Sequence, residues 1–273
     1  MTSVTSRALV LARGLGKRMQ RSDGDAVLTE EQRRAADSGL KSLLPMAGRP
    51  FLDYVLGSLA DAGIVNVGLV VAPDHEQLER YYRVDRPPQR LGIDFVVQEA
   101  PRGTADAVVA AQGWAAGDSF LVMNADNLYP SGVLRRLCAL DEPGLPLFTR
   151  ANLVRTSNIP DERIQSFALL TVDGDGYLAG IIEKPTAEQF AAAGSSAAVS
   201  MNCWRFDDRI FAFCREVPIS ARGEFELPEA VATAIAGGVK FRTMPARGPV
   251  LDLSTRGDAS EVERRLAGMT PRP

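Results

Sequence analysis

A chain of 273 residues, 45% hydrophobic and 24% charged, has the make-up of an ordinary globular protein with room for a large core. Its formal net charge of −3 argues against a nucleic-acid or membrane-surface partner, so any anionic ligand must be held by local cations. Cys138, Cys203 and Cys214 lack metal-ligand spacing and leave an odd count for disulfides, as in reduced core thiols of an intracellular protein. The polar start Met1–Ser6 and the short apolar run Ala8–Ala12 fit neither a signal peptide nor a membrane span. The cytoplasm is therefore the expected compartment.

Ala8–Ala12 is a continuous apolar run ending at glycines, which predicts a buried parallel strand. Residues 13–50 hold no apolar run of strand length and are rich in Gly, Arg and Lys, with a short helix predicted at Thr29–Ser38, capped by Thr29. A helix at Phe51–Ala62 ends at Gly63, and a second strand follows at Val67–Ala72. A helix near Asp74–Tyr82, a strand at Ile93–Val97, a helix at Thr104–Gln112 and a strand at Ser119–Met123 complete the first half. Strands alternating with helices at this spacing predict an α/β fold with a doubly wound, mostly parallel sheet.

In the second half the predicted strands are Leu145–Ala151, Phe167–Val172, Tyr177–Ile182, Ala197–Phe206 and Lys240–Met244, with Asp173–Gly176 as a hairpin turn. Helices are expected at Asp208–Glu216, Leu227–Ala236 and Asp258–Ala267, and Ala191–Ala198 reads as a mobile or turn-forming small-residue patch. No internal repeat is present.

The first strand runs into Arg13-Gly-Leu-Gly-Lys-Arg-Met19. Glycines there let backbone amides approach a phosphate, and the adjoining cations neutralise it. A dinucleotide fingerprint would need a third glycine where Met19 stands and an acidic residue closing the second strand, where Ala72-Pro73 intervene. A Walker-type loop fails for want of Gly-Lys-[Ser/Thr].

Downstream, Lys41-Ser-Leu-Leu-Pro45, Gly48-Arg-Pro50, Gln98-Glu-Ala-Pro-Arg-Gly-Thr-Ala105, Asn124-Ala-Asp126, Glu183-Lys-Pro185 and Leu251-Asp252 follow in a fixed order. With these blocks the chain resembles the sugar-1-phosphate nucleotidyltransferases, which include glucose-1-phosphate thymidylyl- and uridylyltransferases and mannose-1-phosphate guanylyltransferases. The resemblance runs from the first strand to about residue 258. It implies a Rossmann-like three-layer sandwich with a mixed sheet, built as one domain over 1–273. Residues 1–130 would form its nucleotide-binding half and residues 131–273 its sugar-phosphate half. With the chain ending near residue 273, no appended left-handed helix or acyltransferase domain is expected.

The implied reaction joins a nucleoside triphosphate (UTP, dTTP or GTP) to a sugar 1-phosphate with release of pyrophosphate, chemistry that rests on positioning and charge stabilisation. By the resemblance, Arg18 and Lys41 grip the triphosphate and Lys184 holds the sugar phosphate. Leu11, Ala12, Arg13, Gly14, Gly16, Gln98, Gly103 and Thr104 line the nucleotide. Asn124, Glu183, Asn202 and Glu224 face the sugar, with Glu226 a further candidate beside Glu224. Asp126 and Asp252 match the magnesium aspartates, and magnesium takes one or two carboxylates together with phosphate oxygens. Gln98 can offer a donor and an acceptor to a base edge, pairing naturally with uracil or thymine, and Gly103 leaves room for the base.

Three positions depart from the family pattern: Arg13 and Ala168 stand where glycines are usual, and Leu251 replaces a common Trp. The stretch Arg21–Leu40 is longer than usual and is expected to form a lid, with Arg33 or Arg34 over the triphosphate. His75 reads as a surface residue, while Trp114 and Trp204 read as packing. Two other classes remain open: a non-catalytic nucleotide or sugar-phosphate sensor, and a transferase acting on a non-sugar phosphomonoester. Survival of Arg18, Lys41, Asp126, Lys184 and Asp252 favours catalysis. Base, sugar and oligomeric state are not readable, although self-association is common among relatives.

Overall fold

The computed structural model describes residues 4–14, 19, 28–37 and 43–273. Strand β1 (Arg7–Leu11) sits in the middle of a sheet of ten strands among the described residues, pairing in parallel with β4 (Asn66–Val71) and with β6 (Phe120–Asn124). β5 (Gly92–Val97) adds in parallel outside β4. Between these lie two residue pairs that form a small hairpin, β2 (Pro45–Met46) and β3 (Arg49–Pro50). From β6 outward the order is β12 (Trp204–Phe206), β8 (Gly144–Thr149), β11 (Ala198–Val199), β9 (Leu169–Val172) and β10 (Leu178–Ile182), each antiparallel to the one before it. β13 (Arg242–Pro245) pairs in parallel with β8. Away from the main sheet, β7 (Asn127–Leu128) pairs with β14 (Leu251–Asp252).

The side-chain period of a strand explains the layers. Ala8 and Val10 of β1 join one apolar cluster with Val67 and Leu69 of β4. Leu9 points the other way, into a second cluster with Val122 and Phe120. The first cluster is covered by α2 (Phe51–Ala62), α6 (Ser131–Cys138) and α12 (Ala259–Leu266), the second by α4 (Thr104–Ala110), α10 (Ile210–Glu216) and α11 (Leu227–Ala236). This is the doubly wound three-layer arrangement that the alternation of elements predicted.

Helix α2 begins after Pro50 and stops at Gly63, whose left-handed backbone (φ 100°) returns N–H groups to the last turn. Helix α1 (Glu30–Asp37) is capped by Thr29, whose hydroxyl accepts from the Gln32 amide at 3.2 Å while the Gln32 side chain accepts from the Thr29 N–H at 3.0 Å. Gln32 is buried and also donates to the Pro45 carbonyl and to Glu263, so α1 docks on the hairpin and on α12. The rest of the expected lid lies outside the described residues.

Several elements differ from expectation. The strand expected through Ala151 stops at Thr149, because the Thr149 hydroxyl accepts from the Asn152 amide and caps α7 (Arg150–Thr156). The single strand expected over Ala197–Phe206 is two short strands, β11 and β12, on opposite sides of β8. The chain changes sides through Ser200–Cys203, where Asn202 takes a left-handed backbone (φ 53°) that no continuous strand allows. The helix near Asp74–Tyr82 is α3 (Glu76–Arg80) running on into a π-turn at Tyr81–Asp85. Helices α6, α7, α8 (Asp161–Ile164), α9 (Ala187–Ala193) and the turn α5 (Gln112–Ala115) were not predicted. Trp204 is fully buried and stacks on Phe206, a packing role. No described helix is long and apolar enough to cross a membrane.

Candidate active site

Along β1 the chain first goes one way, to β4 and β5, and later the other way, to β6. In an open α/β sheet this reversal leaves a crevice beyond the carboxyl ends of the two strands. Leu11 and Asn124, which end β1 and β6 in direct register, line a cleft of about 720 Å³ there. A larger cavity of about 1180 Å³ lies between α2 and residues 268–272, and it does not include those strand ends.

The cleft gathers segments distant in sequence. Glu162, Gln165 and Ala168 come from α8 and the loop after it, Glu183 and Lys184 from the end of β10, and Asn202 from the crossing between β11 and β12. Lys184 (φ 47°) and Asn202 (φ 53°) are non-glycine residues with left-handed backbone. Such conformations cost free energy and concentrate where side chains must be aimed at a ligand. Burial pushes the Glu183 carboxyl above its ordinary value, with Glu226 and Glu229 adding to the shift and Arg222 and Lys184 opposing it. Glu226 lines the cleft, whereas Glu224 does not and instead accepts at its carbonyl from the Ser220 N–H.

Gln98 ends up buried just beyond β5. Its Nε2 donates to the Gly103 carbonyl at 3.1 Å and to Asp106 Oδ2 at 2.7 Å. Both partners are acceptors, so the amide orientation is fixed by chemistry and its two N–H groups are spent. Only Oε1 is left for a ligand, which narrows the donor-and-acceptor reading to an acceptor. Gly103 has φ 113°, and a Cβ there would stand 2.4 Å from the Phe225 carbonyl oxygen. The space beside this glycine is thus taken by Phe225 backbone, a reason for glycine that needs no base. Thr104 begins α4 and its hydroxyl accepts from the Leu227 N–H at 2.9 Å.

Ala12, Arg13 and Gly14 continue from β1, with the Ala12 N–H donating to Val70. The Arg13 guanidinium donates to the Gln98 carbonyl at 2.6 Å and to the Glu99 carbonyl at 3.1 Å, so it braces the end of β5. Gly16, Arg18 and Lys41 lie outside the described residues.

Beside the cleft is an acidic pair. Asp126 follows β6, and the pairing of β7 with β14 sets Asp252 opposite Asn127. The Leu253 N–H donates to the Asp126 carbonyl at 2.9 Å, which closes the junction. Asp252 is buried, its backbone bracketed by the Asn158 side chain at 2.7 and 2.8 Å, and its Oδ2 accepts from Asn127 at 3.3 Å. Burial, and then the Asp126 charge, push its carboxyl up. Asp252 Oδ1 is buried without a hydrogen-bond partner.

One residue here had no signal in the sequence. Arg163 of α8 donates to both Asp258 oxygens at 2.8 and 2.6 Å, and its Nη1 stands 3.6 Å from Asp252 Oδ1. Burial works against the Asp258 charge, but Arg163 outweighs it and holds that carboxyl below its ordinary value. Arg163 sits outside every quoted block, and only the short helix brings it to the aspartates.

A doubly wound sheet with a polar cleft at its switch point and carboxylates beside it defines a nucleotide-handling α/β protein. The nucleotidyl transferase family model matches residues 36–250, and the chain belongs to that family. Glucose-1-phosphate thymidylyltransferase of Streptomyces antibioticus is 27% identical over 97% of this chain and 68% of its own length. The bifunctional protein GlmU of Methanococcus maripaludis is 25% identical over 74% of this chain and 43% of its own length. Among solved structures, UDP-glucose pyrophosphorylase complexed with UDP-glucose superposes with a TM-score of 0.75 at 18% identity. The match covers 96% of this chain and 98% of that one, and it shows a shared fold.

Proposed function

We propose that the protein transfers a nucleotidyl group from a nucleoside triphosphate to a sugar 1-phosphate. A phosphate oxygen of the sugar forms a bond to the α-phosphorus as the bond to the bridging oxygen breaks, and pyrophosphate leaves. The observation that carries this reading is the gathering of Asn124, Glu183 and Lys184 in one cleft at the switch point, with Asp126 two residues beyond Asn124 and Asp252 brought to it by the β7–β14 pair.

Lys184, which lines that cleft together with Arg222, is the cation we assign to the sugar phosphate, and its left-handed backbone sets its direction. Glu183, Asn124 and Asn202 offer acceptors and donors to sugar hydroxyls. The side-chain oxygen Oε1 of Gln98 is placed to accept from a ring N–H of the base, which uracil or thymine offers at N3 and guanine at N1. At the same ring position cytosine N3 and adenine N1 are acceptors, so those bases could reach Oε1 only through their exocyclic amino groups, with the base shifted in the site. A uridine or thymidine triphosphate is our preferred donor, in keeping with the thymidylyl relative and the UDP-glucose complex.

The aspartates fit magnesium. The set is all oxygen, and Asp252 Oδ1 is a buried acceptor that lacks a hydrogen bond. No cluster of three or more His, Cys, Asp or Glu among the described residues could hold a metal by itself, so the remaining ligands would be phosphate oxygens and water. Bound there, magnesium would offset charge on the triphosphate.

The test is pyrophosphate release with magnesium across UTP, dTTP, GTP, CTP and ATP against a panel of sugar 1-phosphates, with Asp126→Ala as control. Release that needs both substrates and disappears in the variant is expected. Silence across the panel with nucleotide binding intact by calorimetry would replace this reading with a binding protein.

A further inference from the structure

We propose that Arg163 is a resident counter-charge of the Asp126–Asp252 pair that sets how tightly the protein takes a divalent cation. The proposal rests on the magnesium reading of that pair. The guanidinium is tethered by both Asp258 oxygens and is 16% exposed, so it cannot swing into solvent cheaply. Its Nη1 stops 3.6 Å from Asp252 Oδ1, too far for a hydrogen bond and close enough for a strong charge interaction. The oxygen it faces is the buried one without a hydrogen-bond partner.

This geometry has a direction. Without a cation, the half-buried Asp126 and the buried Asp252 place like charge close together at the β7–β14 junction, and Arg163 offsets part of that repulsion. An arriving divalent cation meets both the carboxylates and a fixed positive charge, so its net attraction is reduced. Free protein would therefore bind the cation weakly, and the triphosphate, bringing its own negative charge, would complete the site. Asp258 holds the guanidinium at arm's length from Asp252. Arg163 is accordingly a positioning residue that acts through Asp252.

Two variants test this with opposite expected signs. In nucleotide-free protein, Mn²⁺ binding is measured by electron paramagnetic resonance and calorimetry for wild type, Arg163→Gln and Asp258→Asn, with Asp126→Ala as control. Removing a unit charge within a few ångströms in a partly buried setting is expected to tighten Mn²⁺ roughly tenfold in Arg163→Gln. The same variant melts at a lower temperature in EDTA and gains more from Mn²⁺ than wild type does. Asp258→Asn keeps the cation but loosens its tether, so Mn²⁺ binds more weakly. Unchanged or weaker binding in Arg163→Gln, with wild-type binding intact, would overturn the proposal and leave Arg163 a staple for Asp258. Absence of Mn²⁺ binding by wild type, even with a nucleoside triphosphate present, would overturn the magnesium reading and this proposal with it.

Discussion

Gly103→Ala tests whether the junction that holds Gln98 is as tight as its geometry indicates. The added Cβ would stand 2.4 Å from the Phe225 carbonyl oxygen and 2.6 Å from the Phe225 nitrogen, both backbone atoms that cannot rotate away. Restoring ordinary contact requires Phe225 to retreat by about 1 Å. That movement stretches two hydrogen bonds, Ala105 N–H to Phe225 O at 2.9 Å and Phe225 N–H to Arg102 O at 2.7 Å. Left-handed backbone at a residue with a Cβ costs about 1–3 kcal/mol, and overpacking costs about 1–3 kcal/mol more. The expected loss, read from urea unfolding, is therefore roughly 2–6 kcal/mol, a large share of a typical domain's stability. Because the Gly103 carbonyl accepts from Gln98 Nε2, the KM for triphosphate should rise as well. A variant within about 0.5 kcal/mol of wild type, the range of an ordinary surface change, would refute the argument.

Arg13→Ala removes two hydrogen bonds that brace the carbonyls of Gln98 and Glu99. Steady-state kinetics should show KM for triphosphate raised roughly tenfold with kcat nearly kept, from the net worth of charged hydrogen bonds. A fall in kcat alone would mean that Arg13 acts on the phosphates instead. Asp106→Ala leaves the Gly103 carbonyl alone to orient the Gln98 amide, so the preference for UTP over CTP in competition assays should shrink; an unchanged preference would show that Gln98 does not read the base. Glu183→Gln addresses pH. The folded-state carboxyl titrates above its ordinary 4.5, so wild type loses stability as pH rises from there through the raised value. Melting curves of the glutamine variant should lack that slope, and identical slopes would contradict the burial and charge argument.

The parallel half of the fold was legible because its strands are continuous apolar runs punctuated by Gly and Pro, and α2 and α11 matched their predicted ranges. The second half was harder for specific reasons. The run Leu145–Thr149 passes into Arg150-Ala151 with no Gly or Pro at the junction, and only the Thr149 hydroxyl turning to Asn152 marks where α7 takes over. Helix α6 did have a signal, since Val133, Leu134, Leu137 and Cys138 follow helical spacing behind Pro130 and are all buried. In the site, the family blocks led to Asn124, Glu183, Lys184, Asp126 and Asp252, which lie in or beside one cleft. They could not lead to Arg163 or Glu162, whose roles come from where a four-residue helix lands. Nor could they show that Asp106, one turn along α4, decides which way Gln98 faces.

The side change at Ser200–Cys203 makes the cleft a seam in the sheet. Four residues join β11 among the outer antiparallel strands to β12 against the parallel centre, and two of them, Ser200 and Asn202, line the cleft. A strand slipped by one residue presents its opposite face. A single insertion or deletion here would therefore force one of the two strands out of register while the other stayed put. The turn Asp173–Gly176, at the ends of β9 and β10 away from the cleft, can change length without that consequence. The far end of this antiparallel pair thus tolerates a change of length, while the seam beneath the pocket is held to a fixed number of residues.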